Sequence, residues 1–397
     1  MDPAAPAREA GVSDDPRASI ESIITPLPTP ENGVPVPDLA LARQRIDSID
    51  DRILDLLAER AEVVGAVRRA KQASGAPALD PEREKALLER LLERGAGRFP
   101  KPAILAVFRE ILSGCVSLQA RVTVAYLGPQ GTYSHAAARA LFGYAPQYIE
   151  EATIDGVFES VRRGRAVYGV VPIENSTEGS VAGAIDALIE GGCRIRRELV
   201  LPIKHCLLSN VESLSEVRRV YSHPQALAQC RKYLANNLPQ AQIVHTASTA
   251  LAVREAGGDA SGAAIGSSLA GEIMGVPVLR EGIQDIAFNA TRFVMIGKDD
   301  AKPTGRDRTT FTFIIADETE RGALRRTLGV LEDNGVNMTR IESRPSRDRA
   351  WRYVFVIDVE GHREDENVAA ALAALETRVQ ALTVLGSYPR YPDAEKK

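Results

Sequence analysis

The stretch VTVAYLGPQGTYSHAAARALFG, residues 122–143, is where the pattern of the chain changes. A strand-length apolar run ends in a Gly-containing turn, and small apolar residues at helical spacing follow. Downstream, YIEEA, YGVVPIE, LVLPIKHCLLS, VRRVYSH, QIVHTAS, AAIG and TRFVMIG read as strands. Between them lie segments such as HAAARALFG and GSVAGAIDALIEGG, which read as helices. This alternation predicts an α/β module over residues 122–299.

Upstream the period is purely helical. Ile46, Ile49, Ile53, Leu56, Val63 and Val67 recur at spacings of three, four and seven, which predicts one helix about 50 Å long at 1.5 Å per residue. Ser74-Gly75-Ala76-Pro77 breaks it. Asp80 then suits an N-cap and Pro81 a first helical position, with Leu87, Leu88 and Leu91 on the apolar side. A third helix starts near Pro102 and carries Ile104, Phe108, Ile111, Leu112, Cys115 and Leu118. Residues 38–121 thus form an all-α module. Before them, residues 1–37 hold 8 of the 23 prolines, and that composition predicts a disordered tail.

Beyond the polar linker Lys298–Arg308, the order is TFTFIIAD, the helix GALRRTLGVLEDNG, the strands MTRIESRP and WRYVFVIDVE, the helix NVAAALAALETRVQ and the strand TVLGSYP. This βαββαβ order predicts an α+β ferredoxin-like unit over residues 308–390.

The whole is therefore a multidomain chain of 397 residues with a net charge of -4. With 49 Lys+Arg against 53 Asp+Glu there is no basic excess to neutralise phosphates, so neither nucleic acid nor an anionic membrane is expected as a partner. Cys115, Cys193, Cys206 and Cys230 show no CxxC spacing, which favours reduced thiols and no metal. No apolar leader and no run of about 18 apolar residues is found, and a cytoplasmic location is the expectation.

Arg60 and Lys71, eleven residues apart, fall within about 20° of each other on the first helix. Arg43, seventeen residues before Arg60, lies about 25 Å further along the axis and about 100° round it. One small ligand could not touch both from one chain. Either these are solvated charges, or a second antiparallel copy of the helix completes a site. In the α/β module, GPQGTYSHAAA lacks the ending of a P-loop and the spacing of a dinucleotide fingerprint, though its helix N-terminus could hold an anion. PIENSTEGS, Pro172 to Ser180, gathers a carboxylate, an amide and hydroxyls at a strand end, either as a helix cap or as a ligand site. YSHPQALAQC and NATRFVMIG add polar residues at strand ends, where ligands of α/β sheets bind. His205 and His245 read as structural strand residues.

LARQRIDSIDDRILDLLAERAEVVGAVRRAK, LDPEREKALLERL and FREILSGCVSLQA together resemble the helical chorismate mutase family. That resemblance implies that Arg60 and Arg43 of the partner chain hold the two carboxylates of chorismate, as guanidinium forks do. It also implies that Lys71 and Gln119 hydrogen-bond the ether oxygen, and that Asp80, Arg83 and Glu84 order the backbone and the substrate hydroxyl. Cys115 stands where relatives often carry a small hydroxyl residue. The implied rearrangement to prephenate is pericyclic and needs no nucleophile, no proton shuttle and no cofactor.

YLGPQGTYSHAA, VVPIENSTEGSV, VYSHPQALAQC and the triplet Thr291-Arg292-Phe293 resemble prephenate dehydratase. This implies a two-lobed, periplasmic-binding-protein-like fold with the site in its cleft. Thr291 would polarise the departing hydroxyl, and Arg292, Phe293, Glu174, Asn175, Ser176, His223 and Gln225 would lie near the substrate. The C-terminal unit resembles an ACT regulatory domain. Gly322-Ala323-Leu324 and Glu342-Ser343-Arg344-Pro345 are similar to its effector-binding motifs, with Arg325 where Val is usual, and the implied effector is L-phenylalanine. A purely dimerising role is the plainer reading of that unit. The three resemblances in this order imply a homodimer or higher homo-oligomer converting chorismate to phenylpyruvate. Two narrower readings are a chain in which only the dehydratase works, and a non-catalytic amino-acid sensor.

Overall fold

The computed structural model describes residues 39–74, 81–95, 97–316, 320–346 and 352–391. The proline-rich residues 1–37 and Asp80, with its expected capping role, lie outside the described residues.

Helix α1 (Leu39–Ser74) runs for 36 residues and buries none of them. Its apolar stripe, including Ile46, Ile49, Ile53, Leu56, Val63 and Val67, stays exposed. Contacts divide the chain into two bodies within this helix, after Glu62. In the second body, α2 (Pro81–Arg94) packs on α3 (Lys101–Gln119). By length and composition α3 could cross a membrane; Arg109-Glu110 interrupts the uninterrupted apolar run that the sequence criterion sought. Here α3 buries Ile104 and Ser113, and Ser113 Oγ donates to the Phe142 carbonyl at 2.6 Å.

The α/β region forms two lobes. The first contains β1 (Thr123–Leu127), α4 (Tyr133–Phe142), β2 (Gln147–Glu151), α5 (Ile154–Arg162), β3 (Tyr168–Asn175), β4 (Gly179–Ser180), α6 (Ala182–Ile189) and β5 (Arg194–Pro202). The second contains β6 (Cys206–Ser209), β7 (Arg219–Ser222), α7 (Pro224–Gln229), α8 (Arg231–Asn237), β8 (Gln242–His245), α9 (Thr249–Gly257), β9 (Gly262–Gly266), α10 (Ser268–Met274) and β10 (Val278–Arg280). The chain then returns to the first lobe as β11 (Ala290–Gly297). The first sheet has the order β2-β1-β3-β11-β5, with β4 on β3, and the second β10-β6-β9-β7-β8. Two segments, 203–205 and 281–289, thus cross between lobes, and they bond each other through Ile203 N to Asn289 O and Ile283 N to His205 O. This is the expected two-lobed arrangement.

LVLPIKHCLLS, expected as one strand, is split between β5 and β6 in different sheets. Pro202 has no N–H to carry the ladder onward. The two- and three-residue strands β4 and β10 are too short to leave a period in the sequence.

The last unit runs β12 (Asp307–Ile315), α11 (Ala323–Asp333), β13 (Met338–Pro345), β14 (Tyr353–Glu360), α12 (Glu366–Glu376) and β15 (Val379–Pro389). Its sheet order, β13-β14-β12-β15, is antiparallel throughout and ferredoxin-like. The helix expected to run through Val379-Gln380 stops at Glu376, because Val379 already pairs with Ile315. One sheet face carries α11 and α12 over a core of Phe311, Phe313, Val330 and Ile357. The other meets the first lobe, where Val356, Leu385 and Tyr388 join Ile173 and Ile195 in one core. Backbones come so close that a Cβ on Gly386 would lie 2.4 Å from the Ile195 carbonyl oxygen.

Candidate active site

A cavity of about 500 Å³ opens between the two lobes. Its first wall comes from the strand ends of the first sheet. On β3 and β11, Asn175 pairs with Thr291 and Glu174 with Arg292; successive side chains point to opposite faces. Asn175, Thr291 and Phe293 line the cavity. The Asn175 amide donates to Thr291 Oγ1 at 2.9 Å and to Asn289 Oδ1 at 3.0 Å. Its own carbonyl oxygen accepts from Thr177 N, Thr177 Oγ1 and Glu178 N, so the amide has one defined orientation. Thr291 is buried, and among the described residues its hydroxyl accepts this bond while donating to nothing. The proton is left for a ligand.

The second wall comes from the other lobe. His223 caps α7 by accepting from Gln225 N, and both residues line the cavity with Gln229, Ser248 and Thr249. Between the walls runs a polar floor. His205 Nε2 lies 2.8 Å from Gln229 Oε1, Asn289 donates to the same oxygen at 3.2 Å, and Gln229 donates to Glu178 at 3.1 Å. Burial lowers the His205 pKa against the opposing Gln229 bond, so the ring is neutral near pH 7. Tyr133 donates to the Lys204 carbonyl at 2.7 Å, and burial raises its pKa, which keeps the phenol protonated. Behind the wall, burial and then Arg139 lower His135 to about 4; its Nδ1 accepts from Gly131 N at 3.1 Å. The lobes touch where Ser267 Oγ donates to Gly131 O at 2.7 Å. Gly131 has φ +90°, and an added Cβ would lie 3.1 Å from Ala270, so this approach needs glycine.

Among the described residues, Glu178 is the only Asp, Glu, Lys or Arg lining the cavity. An anion here would instead meet two helix N-termini, α4 capped by Thr132 and α9 capped by Ser248. Their first-turn N–H groups have no intrahelical acceptor.

Three residues expected beside substrate are placed otherwise. Arg292 extends from the opposite face of β11 and is bound to Glu198, Asp358 and Tyr388. Glu174 faces the same way, toward Arg292 and Arg340. Ser176 is exposed and ties the strand ends together, donating to Phe288 O and accepting from Ala290 N. Conversely His205, read as structural, lines the cavity, as do Thr132, Tyr133, Glu178, Gln229, Asn289 and Ser248. Thr132, Tyr133, Glu178, Gln229 and Asn289 all lie within the quoted motifs, which was a usable signal; nothing local marked Ser248. His245, also read as structural, is exposed at the end of β8.

In the helical region Arg43 is exposed and Arg60 half-buried in the first body, with Lys71 half-buried, Arg83 exposed and Cys115 half-buried in the second. Gln119 donates to Cys115 O at 3.4 Å, while its Oε1 is buried without a hydrogen bond. Glu84 lies 3.8 Å from Arg197 of the first lobe. In the last unit, Gly322 adopts φ +77° at the start of α11. Ala323 follows it, and Leu324 lines a broad open groove of about 1320 Å³. The edge strand β13 turns Ser343 and Pro345 outward. Its Glu342 accepts from Ser180, and Arg344 reaches Asp186 and the Ala182 carbonyl. Among the described residues no group of three or more His, Cys, Asp or Glu could hold a metal ion.

The chain matches chorismate mutase type II over residues 42–120, prephenate dehydratase over 124–301 and the ACT domain over 310–377. It is 44% identical over 357 residues to the bifunctional chorismate mutase/prephenate dehydratase of Aquifex aeolicus (strain VF5), covering 89% of this chain and 98% of that protein. The enzyme of the same description from Stutzerimonas stutzeri is 41% identical over 358 residues, with the same coverage. Among solved structures, the prephenate dehydratase of Arthrobacter aurescens in complex with L-Phe superposes with a TM-score of 0.62 at 38% identity, covering 68% of this chain and 90% of that one. The chain belongs to the bifunctional chorismate mutase/prephenate dehydratase family.

Proposed function

We propose that the chain rearranges chorismate to prephenate in its helical domain, converts prephenate to phenylpyruvate in the interlobe cleft, and is inhibited by L-phenylalanine through the ACT domain. The observation that carries the second step is the Thr291 hydroxyl, which accepts from Asn175 and keeps its proton free toward the cavity. In that step the bond to the ring carboxylate breaks and its electron pair enters the ring as carbon dioxide leaves. The ring C–O bond breaks, and the oxygen departs as hydroxide that takes up a proton to become water. A threonine hydroxyl is too weak an acid to deliver that proton at neutral pH. Thr291 donates a hydrogen bond to the leaving oxygen, a contact that strengthens as charge develops. Aromatisation supplies the driving force. The two helix N-termini take the carboxylates, while His223 and Gln225 close over the substrate from the second lobe.

The mutase site takes Arg60, Lys71, Arg83, Glu84, Cys115 and Gln119 from one chain and Arg43 from a second. The exposed apolar stripe of α1 supports a homodimer at least. The effector meets Gly322–Leu324 of one ACT unit and Glu342–Pro345 of another, and the L-Phe complex of the Arthrobacter aurescens relative supports that ligand. The matched segments support domain limits of 38–121, 122–299 and 308–390. Relatives of known biosynthetic role support a cytoplasmic location.

Two variants test whether the activities sit in separate sites. Lys71→Ala should abolish chorismate consumption and leave prephenate turnover intact; Thr291→Ala should lower prephenate turnover about 10²–10³-fold, to a rate still measurable, and leave chorismate consumption intact. Loss of both activities in either folded variant would refute separate sites.

A further inference from the structure

Thr291 and Asn175 face the cleft, and their immediate neighbours Arg292 and Glu174 face the ACT sheet. The Arg292 guanidinium is buried, with 8% of its side chain exposed. Its Nε donates to Glu198 at 2.8 Å, Nη1 to Asp358 at 2.6 Å and Nη2 to the Tyr388 hydroxyl at 2.7 Å. Glu198 belongs to β5, the other neighbour of β11, and also accepts from Arg308 at 2.8 Å. Asp358 and Tyr388 belong to β14 and β15 of the ACT unit, and Thr310 of β12 reaches both, at 2.7 and 2.6 Å. Glu174 is held likewise, 3.5 Å from Arg340 of β13.

Each of the three guanidinium nitrogens therefore donates to an acceptor that is itself held in place. A buried cluster of this kind contributes little net stability, since its desolvation cost offsets its attraction. It does fix the backbone to which it is attached. A shift of β11 along its axis would move the Thr291 hydroxyl away from a leaving oxygen, and misplacement by about 1 Å can cost roughly 10²-fold in rate.

We infer that Arg292 is a positioning residue for Thr291, and that Asp358 and Tyr388 of the ACT unit are part of that positioning device. The ACT unit then supplies the back wall of the dehydratase site as well as an effector site. This inference rests on the dehydratase reading above.

The test is a double-mutant comparison on the full-length chain. Asp358→Asn removes one charge from the cluster and touches nothing in the cleft. It should lower kcat for prephenate about tenfold, within the cost of small misplacements, and leave KM and chorismate turnover within about twofold. In the Thr291→Ala background the same change should lower kcat no further, because its effect passes through the missing hydroxyl. Tyr388→Phe removes one hydrogen bond and no charge, and it carries the same comparison if Asp358→Asn does not fold. An equal loss in both backgrounds, a rise in KM in place of the fall in kcat, or full kcat in a folded variant would overturn the inference. A parent chain that fails to convert prephenate at all would instead overturn the dehydratase reading.

Discussion

Thr291→Val separates the hydroxyl from everything else at its position. Valine keeps the branched shape and the strand preference, so the cavity wall between Asn175 and Phe293 keeps its form. The Asn175 amide loses the 2.9 Å acceptor but keeps Asn289 Oδ1 at 3.0 Å and the Ala290 carbonyl at 3.3 Å. Stability should therefore fall by no more than about 1 kcal/mol. Catalysis should fall far more. Removing one preorganised donor to a developing negative oxygen typically costs about 10²–10³ in kcat, or about 2.7–4 kcal/mol. The ground state makes a much weaker bond to the same oxygen, so KM should change by less than about threefold. Stopped assays of phenylpyruvate formation from prephenate give both constants, with chorismate turnover on the same sample as the folding control. A loss below about tenfold, or a raised KM at unchanged kcat, would refute leaving-group polarisation and make Thr291 a binding residue.

Gly386→Val places a side chain where a Cβ already meets the Ile195 carbonyl at 2.4 Å; overpacking of this kind costs about 1–3 kcal/mol. Thermal unfolding should show that loss, together with a weakened response to phenylalanine. For pH, His135 is held near 4 in the folded chain against the usual 6.5, so unfolding lets it take up a proton between those values. Its contribution to stability is full above pH 6.5 and is lost as pH falls toward 4. The unfolding midpoint of His135→Phe should accordingly depend less on pH across that window than the parent's, and equal slopes would count against the assignment. For assembly, an Arg43→Ala chain mixed with a Lys71→Ala chain should recover part of the mutase activity once subunits exchange. Proven exchange without recovery would reject shared sites.

The strand–helix alternation from Val122 and the βαββαβ order of the last unit made the folds legible, because each element is long enough to carry a hydrophobic period. Thr291, Asn175, His223 and Gln225 were legible for a different reason, since they sit within local motifs at strand ends and helix starts. Arg292, Glu174 and Ser176 were misplaced because adjacency in a motif does not fix which face of a strand a side chain takes. Arg292 finds its partners 94, 66 and 96 residues away, and no local spacing announces them. His205 looked structural because the chain crosses between lobes at that point, and the crossing becomes visible only when LVLPIKHCLLS divides between two sheets.

The most direct single measurement is a time course of the purified parent chain given chorismate, following prephenate and phenylpyruvate with and without phenylalanine. Transient prephenate followed by phenylpyruvate, both steps in one protein and the second suppressed by phenylalanine, is the expected result. Prephenate that accumulates and is never consumed would contradict the assignment of the interlobe cleft.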